Sequence, residues 1–168
     1  MAIADKTANL GMPGSVVPPE NLHLTLRFLG DTDDVAFDRL LAALDDRVLP
    51  APFLVRLGAL GAFPNGRRAS VLWLDVSDGA DRLEGLHAAV EDACEVAGFD
   101  PEERPFRPHV TLSRVRPQVD VRPLLDKTPP LDLSSPVENI VVLRSHQGAS
   151  PPRYELLERF PLRGGGRT

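Results

Sequence analysis

Cysteine, tryptophan and tyrosine appear once each in these 168 residues, and lysine twice. The lone Cys94 has no partner for an internal disulfide, and no Cys/His cluster of zinc-ligand spacing is present, so a reducing compartment fits and a structural metal does not. No run reaches the roughly 18 apolar residues of a membrane span. The N-terminus also lacks the basic start and sustained apolar stretch of a secretory leader. A cytoplasmic chain with no membrane partner is expected. Positive charge is also short: the net charge of −5 argues against a broad nucleic-acid footprint, which needs a basic face that displaces many counterions. A local basic site remains open, because 17 of the 19 basic residues are Arg. Arg104, Arg107, Arg114 and Arg116 crowd one short stretch, where guanidinium forks suit phosphate. Most of the arginine excess is what a GC-rich genome would impose.

That stretch, R-P-F-R-P-H-V-T-L-S-R-V-R from Arg104 to Arg116, echoes N-L-H-L-T-L-R-F-L-G from Asn21 to Gly30. Each carries His, an apolar residue, Thr, Leu. In an extended strand side chains alternate faces at about 3.3 Å per residue, so His and Thr two apart share a face. With four His and six Thr in the chain, two such coincidences arise by chance at roughly the one-per-cent level. One copy alone would be an ordinary strand histidine beside an exposed threonine; two copies reverse those odds.

The length allows one core of useful size. Residues 1–20, rich in Gly and Pro, read as an irregular lead-in, 21–162 as one bilobal domain, and 163–168 as a disordered tail. Leu22 to Leu29 alternates as a strand, with Leu22, Leu24, Leu26 and Phe28 on the core face and His23, Thr25, Arg27 and Leu29 on the other. Asp31 to Asp34 offer N-caps for a helix carrying Phe37, Leu40, Leu41, Leu44 and Val48 at helical spacing, stopped by Pro50. Phe53 to Leu60 and Val71 to Val76 form a long-looped hairpin. Asp81 to Ala97 is a helix with the stripe Leu83, Leu86, Val90, Cys94 and Ala97, ended by Gly98; His87 falls off that stripe and reads as solvated. Val110 to Val115 is the second motif strand, a short helix fits within 117–127, and Val137 to Ser145 and Tyr154 to Leu162 are strands. His146 lies in the loop between them and reads as exposed. The order predicts an α+β fold with antiparallel sheets, built as two similar lobes flanked by helices around a shared cleft.

Two imidazoles, each ordinarily titrating near pH 6.5 to within about a unit, can serve as one base and one acid at neutral pH without a metal. His23 and His109 are therefore the candidate catalytic pair. Attack at phosphorus suits them, with Thr25 and Thr111 holding the non-bridging oxygens. Neither motif strand has Asp or Glu on its polar face, which disfavours a metal site. Strict alternation places Arg114 on the opposite face from His109 and Thr111, unless a bulge turns it.

The paired H-L-T-L and H-V-T-L, set within P-P-E-N-L-H-L-T-L-R-F-L-G and F-R-P-H-V-T-L-S-R, resemble the 2H phosphoesterase superfamily, and in particular its RNA 2',3'-cyclic phosphodiesterase branch, also called the 2'-5' RNA ligase family. The likeness extends to G-A-F-P-N-G-R-R-A-S-V-L-W-L and R-Y-E-L-L-E-R-F-P-L. It implies metal-free opening of RNA terminal 2',3'-cyclic phosphates to 2'-phosphates, with possible reversal as 2'-5' ligation and no cofactor. His23 would then protonate the leaving 3'-oxygen and His109 activate water, while Thr25, Thr111 and Arg114 would bind phosphate. The implied partner is an RNA with a cyclic phosphate end or a small cyclic nucleotide, met by a monomer. Members of the family begin with a Phe- and Val-bearing strand and then a helix, neither of which is recognisable in residues 1–20. That departure motivates one alternative, a non-catalytic module for phosphate-ended RNA. Another keeps the chemistry on nucleotides or 2'-5' oligoadenylates.

Overall fold

The computed structural model describes residues 2–146, 148 and 151–164. In chain order come helix α1 (Ala2–Thr7), strand β1 (Ser15–Val16), a 3-10 turn at Pro19–Asn21, α2 (Asp34–Asp45), β2 (Phe53–Phe63), β3 (Ala69–Asp78), α3 (Ala80–Ala97), β4 (His109–Val119), α4 (Arg122–Lys127), β5 (Leu133–Val137), β6 (Asn139–His146) and β7 (Arg153–Pro161). The α+β expectation holds: all pairings are antiparallel, in one sheet ordered β1-β4-β3-β2-β5 and one hairpin β6-β7. Of the tail expected at 163–168, residues 165–168 lie outside the described part.

The helices form where the sequence places caps. Asp33 accepts the Ala36 N–H at 2.8 Å and opens α2. Gly98, at φ 95°, closes α3. Its N–H reaches the Glu95 carbonyl at 3.0 Å while the Phe99 N–H reaches that of Cys94 at 2.9 Å, the paired bonds of a left-handed cap. Leu40 and Leu44 of α2 and Leu83, Leu86 and Val90 of α3 share one core with Val55, Leu57, Leu74 and Leu112 of the large sheet, and Ile140, Val142 and Phe160 bring the hairpin into it. Each such side chain stabilises the fold by about 1.5–3 kcal/mol. On a second side, Ala69, Leu72 and Val121 form a small cluster beneath α4.

The expected strand Leu22–Leu29 does not form. The chain runs along the outer edge of β4, pairing Ser15 with Arg114 and Val16 with Ser113. It then leaves through the Pro18–Pro19 turn and returns for a single bridge, Leu24 to Val110. Alternation supplied the side chains for a strand, but a ladder also needs partners along an edge. Here one edge touches Val110 alone. The other side opens onto a trough of about 780 Å³, bordered by residues 24–31 and by 139–145 of β6, with Phe37, Leu40, Leu44 and Val90 among its lining. Leu22, Leu24, Leu26 and Leu29 still pack on the core, whereas Phe28 is 70% exposed. The lead-in is also more ordered than its composition suggests, since Ser113 Oγ donates to the Pro13 carbonyl at 2.6 Å and ties it to β4.

Gly61 faces Trp73 across the β2–β3 ladder, and a Cβ at that position would overlap the indole ring. The indole in turn lies 4.9 Å from the Phe63 ring. Gly61→Ala is expected to cost about 1–3 kcal/mol through overpacking, read as a lower urea midpoint with an unchanged slope.

Candidate active site

The Leu24–Val110 bridge organises the site. Counting outward from it in the antiparallel sense sets His23 across from Thr111 and Thr25 across from His109, on the face opposite to Leu24 and Val110, which pack on the core. The imidazoles take one diagonal of a four-cornered frame and the hydroxyls the other. Such diagonals span about 7–8 Å in a ladder, room enough for a group held between the rings. All four side chains, with Arg114 and Tyr154, line one cavity of about 70 Å³, walled by Val16, Pro151 and Pro152 among others.

Both rings are anchored in the same way. His23 Nδ1 lies 2.7 Å from the Asn21 carbonyl oxygen and His109 Nδ1 2.6 Å from that of Arg107. A carbonyl can only accept, so each Nδ1 carries the proton and each Nε2 is left for chemistry: an acceptor when the ring is neutral, a donor when it is charged. Aromatic rings brace both, with Tyr154 edge-on to His23 at 5.1 Å and Phe63 edge-on to His109 at 5.1 Å. Asn21 also donates through Nδ2 to the Pro152 carbonyl at 2.8 Å, tying the first motif to the wall that carries Tyr154. Sequence reasoning gave Tyr154 and Asn21 no role; neither has chemistry of its own to mark it, and the fold alone brings them here.

Arg114 faces the cavity because β4 is bulged. Trp73 pairs with Thr111 and Val71 with Arg114, so two residues along β3 match three along β4. The extra residue, at Leu112–Ser113, leaves both of these buried and returns Arg114 to the face of Thr111. The strict-alternation expectation is thereby overturned. The other arginines near the motif do not line the cavity: Arg104 hydrogen-bonds Glu102, holding that carboxyl below its ordinary range, and Arg107 and Arg116 are exposed.

His146 is exposed as expected, but it ends β6, paired with Arg153, instead of lying in the loop, and sits 3.0 Å from a Glu155 oxygen. His87 differs from expectation: it is half-buried, with Nδ1 2.9 Å from the Leu26 carbonyl and its ring stacked on Phe106. Burial pushes the Cys94 thiol up to about 11, so it supplies no thiolate at neutral pH. Among the described residues no three His, Cys, Asp or Glu side chains gather where a metal ion could be held, and no helix is long and apolar enough to cross a membrane.

A model of the 2'-5' RNA ligase superfamily matches residues 13–149. The chain belongs to that family. Within the superfamily it is 36% identical over 118 residues to the RNA 2',3'-cyclic phosphodiesterase of Aeropyrum pernix, a match covering 68% of this chain and 64% of that one, just under two thirds of the relative's length. It is 40% identical over 157 residues to the protein of the same name from Thermus thermophilus, covering 88% of this chain and 75% of the relative. Among solved structures, TT0787 of Thermus thermophilus superposes with a TM-score of 0.74 at 33% identity, covering 98% of this chain and 91% of that one. Escherichia coli LigT complexed with 3'-AMP superposes at 0.78 and 27% identity, covering 96% and 89%. The superfamily match spans both His-x-Thr motifs and the whole of the frame they make.

Proposed function

We propose that this member of the superfamily hydrolyses RNA terminal 2',3'-cyclic phosphates to 2'-phosphates without a metal. The observation that carries the reading is the crossed frame, in which two imidazoles with Nδ1 tied to carbonyls present Nε2 from opposite corners of one cavity. A phosphorus seated at its centre has a base on one side and an acid on the other. His109 Nε2 takes a proton from water as its oxygen bonds to phosphorus; the bond from phosphorus to the 3'-oxygen breaks, and His23 Nε2–H protonates the departing oxygen. Solvent exchange then resets the two rings. Thr25, Thr111 and Arg114 hold the non-bridging oxygens and offset the charge that gathers on them, with the guanidinium supplying the only full positive charge among the three.

The acidic net charge of −5 favours a phosphate end or a small nucleotide over a long grip on RNA. The likeness to LigT, solved with 3'-AMP and with ATP, supports the nucleotide reading as the second choice. A 2',3'-cyclic mononucleotide and an oligonucleotide with a cyclic phosphate end, each incubated with the protein in EDTA, test both readings. Release of 2'-phosphate product at an undiminished rate in chelator is expected. Turnover that appears only on adding a divalent ion would refute the mechanism, and binding of the ends without turnover would make the protein a recognition module.

A further inference from the structure

The arm that carries His23 is held by one backbone bridge instead of a ladder, yet its ring must keep its distance from His109 within a fraction of an ångström for shared acid–base work. Helix α3 holds this arm by its side chains. His87 Nδ1 donates to the Leu26 carbonyl, just beyond the first motif, at 2.9 Å. The same ring stacks on Phe106, just ahead of the second motif, with centroids 4.3 Å apart and planes 5° from parallel. One turn further along α3, Glu91 receives Arg27 Nη1 on both oxygens at 2.9 Å and the Glu102 N–H at 3.2 Å. Arg27 Nη2 also donates to the Asp100 carbonyl. Residues at i and i+4 of a helix stand on one face, so a single row of α3 grips both arms at once.

We propose that His87 is a positioning residue: with Glu91 beside it, it clasps the two motif arms and sets the separation of His23 from His109. It touches neither substrate nor the reacting rings. α3 is suited to the part because Leu83, one turn before His87 in the same row, and Leu86 and Val90 beside it fix the helix in the core, so the clasp is mounted on a firmly packed element. The hydrogen bond fixes the first arm along its length, and the flat stack fixes the second laterally. Losing either lets one imidazole drift relative to the other.

The kinetic part of the test rests on the proposed phosphodiesterase activity; a second measurement does not. His87→Ala is expected to lower kcat on a cyclic-phosphate dinucleotide by about 10- to 100-fold, with KM within about twofold, since misplacement by about 1 Å costs up to that much. His87→Asn keeps an N–H donor for the Leu26 carbonyl and should recover most of the loss; His87→Phe keeps the stack without the donor and should fall between. Independently of any substrate, amide hydrogen exchange in His87→Ala should quicken by about tenfold or more at residues 24–27 while Leu112 stays protected. Unchanged kcat in His87→Ala, or a loss that neither Asn nor Phe relieves and that tracks a general fall in stability, overturns the clasp. Should the wild-type protein turn over no cyclic phosphate, exchange alone decides: selective loosening of 24–27 upholds the clasp while the phosphodiesterase reading fails, and uniform exchange overturns it.

Discussion

His109→Ala and His23→Ala are each expected to lower kcat by about 10²- to 10⁴-fold, the ordinary worth of a positioned general acid or base. The fold should survive both. Each ring is half-buried at the rim of the cavity, its one hydrogen bond running to a carbonyl two residues back in its own chain, with an aromatic edge as the other close neighbour. Removing it exposes little and orphans one carbonyl that water can reach. In the proposed mechanism the two act in one proton relay, so the double replacement should be scarcely worse than either single one. With both rings present, kcat/KM should trace a bell against pH; with one gone, that ring's limb should disappear. A steady-state pH series on the three variants checks this. Near wild-type rates in either single variant would remove that histidine from the chemistry.

Glu91→Ala is expected to destabilise the fold by about 3–5 kcal/mol, a large share of the roughly 5–15 kcal/mol available to a domain. The partner it deserts is the reason. Arg27 has a side chain only 9% exposed, against 19% for Glu91, and its Nε is buried without a hydrogen-bond partner. Taking away the carboxylate leaves a guanidinium charge out of water with one carbonyl to meet it, and also strips the Glu102 N–H of its acceptor. The exposed pair Arg56–Asp132, at 56% and 75%, makes the contrast: cutting it should cost under about 1 kcal/mol. Urea titrations of Glu91→Ala and Asp132→Ala compare the two directly, and the double variant Arg27→Met with Glu91→Leu should recover much of the first loss. Equal, small costs at both sites would show that water reaches Arg27 after all.

Helices α2, α3 and α4 and the paired motif were legible because their signals are local, whereas α1 forms within residues read as an irregular lead-in. Caps at Asp33 and Gly98 and stripes such as Leu83, Leu86 and Val90 lie within one element, and the His-x-Thr repeat needs no knowledge of the fold. What escaped depends on pairing. The segment Leu22–Leu29 has the alternation of a strand, but whether an edge is there to receive it is decided by residues far away. Arg114 turns inward because β4 slips phase against β3, and no feature of residues 112–114 announces that. His87 stands off its helix stripe, as a solvated residue would, until Phe106 arrives from another part of the chain to cover it. Strand β5 was missed because Pro136 interrupts it, which an outermost strand tolerates.

The five-stranded sheet guards both its margins, one with the two-residue β1 and the other with the proline-bearing β5. Among the described residues, the β6–β7 hairpin has no such guard where β6 runs beside the trough, with Ile140 and Val142 beneath and Val141 37% exposed. Strand-to-strand adhesion between molecules starts at unguarded margins of this kind. Concentrated solutions of the protein should therefore age from residues 139–145, with the crossed frame of His23, Thr25, His109 and Thr111 still intact in the first clumps to form.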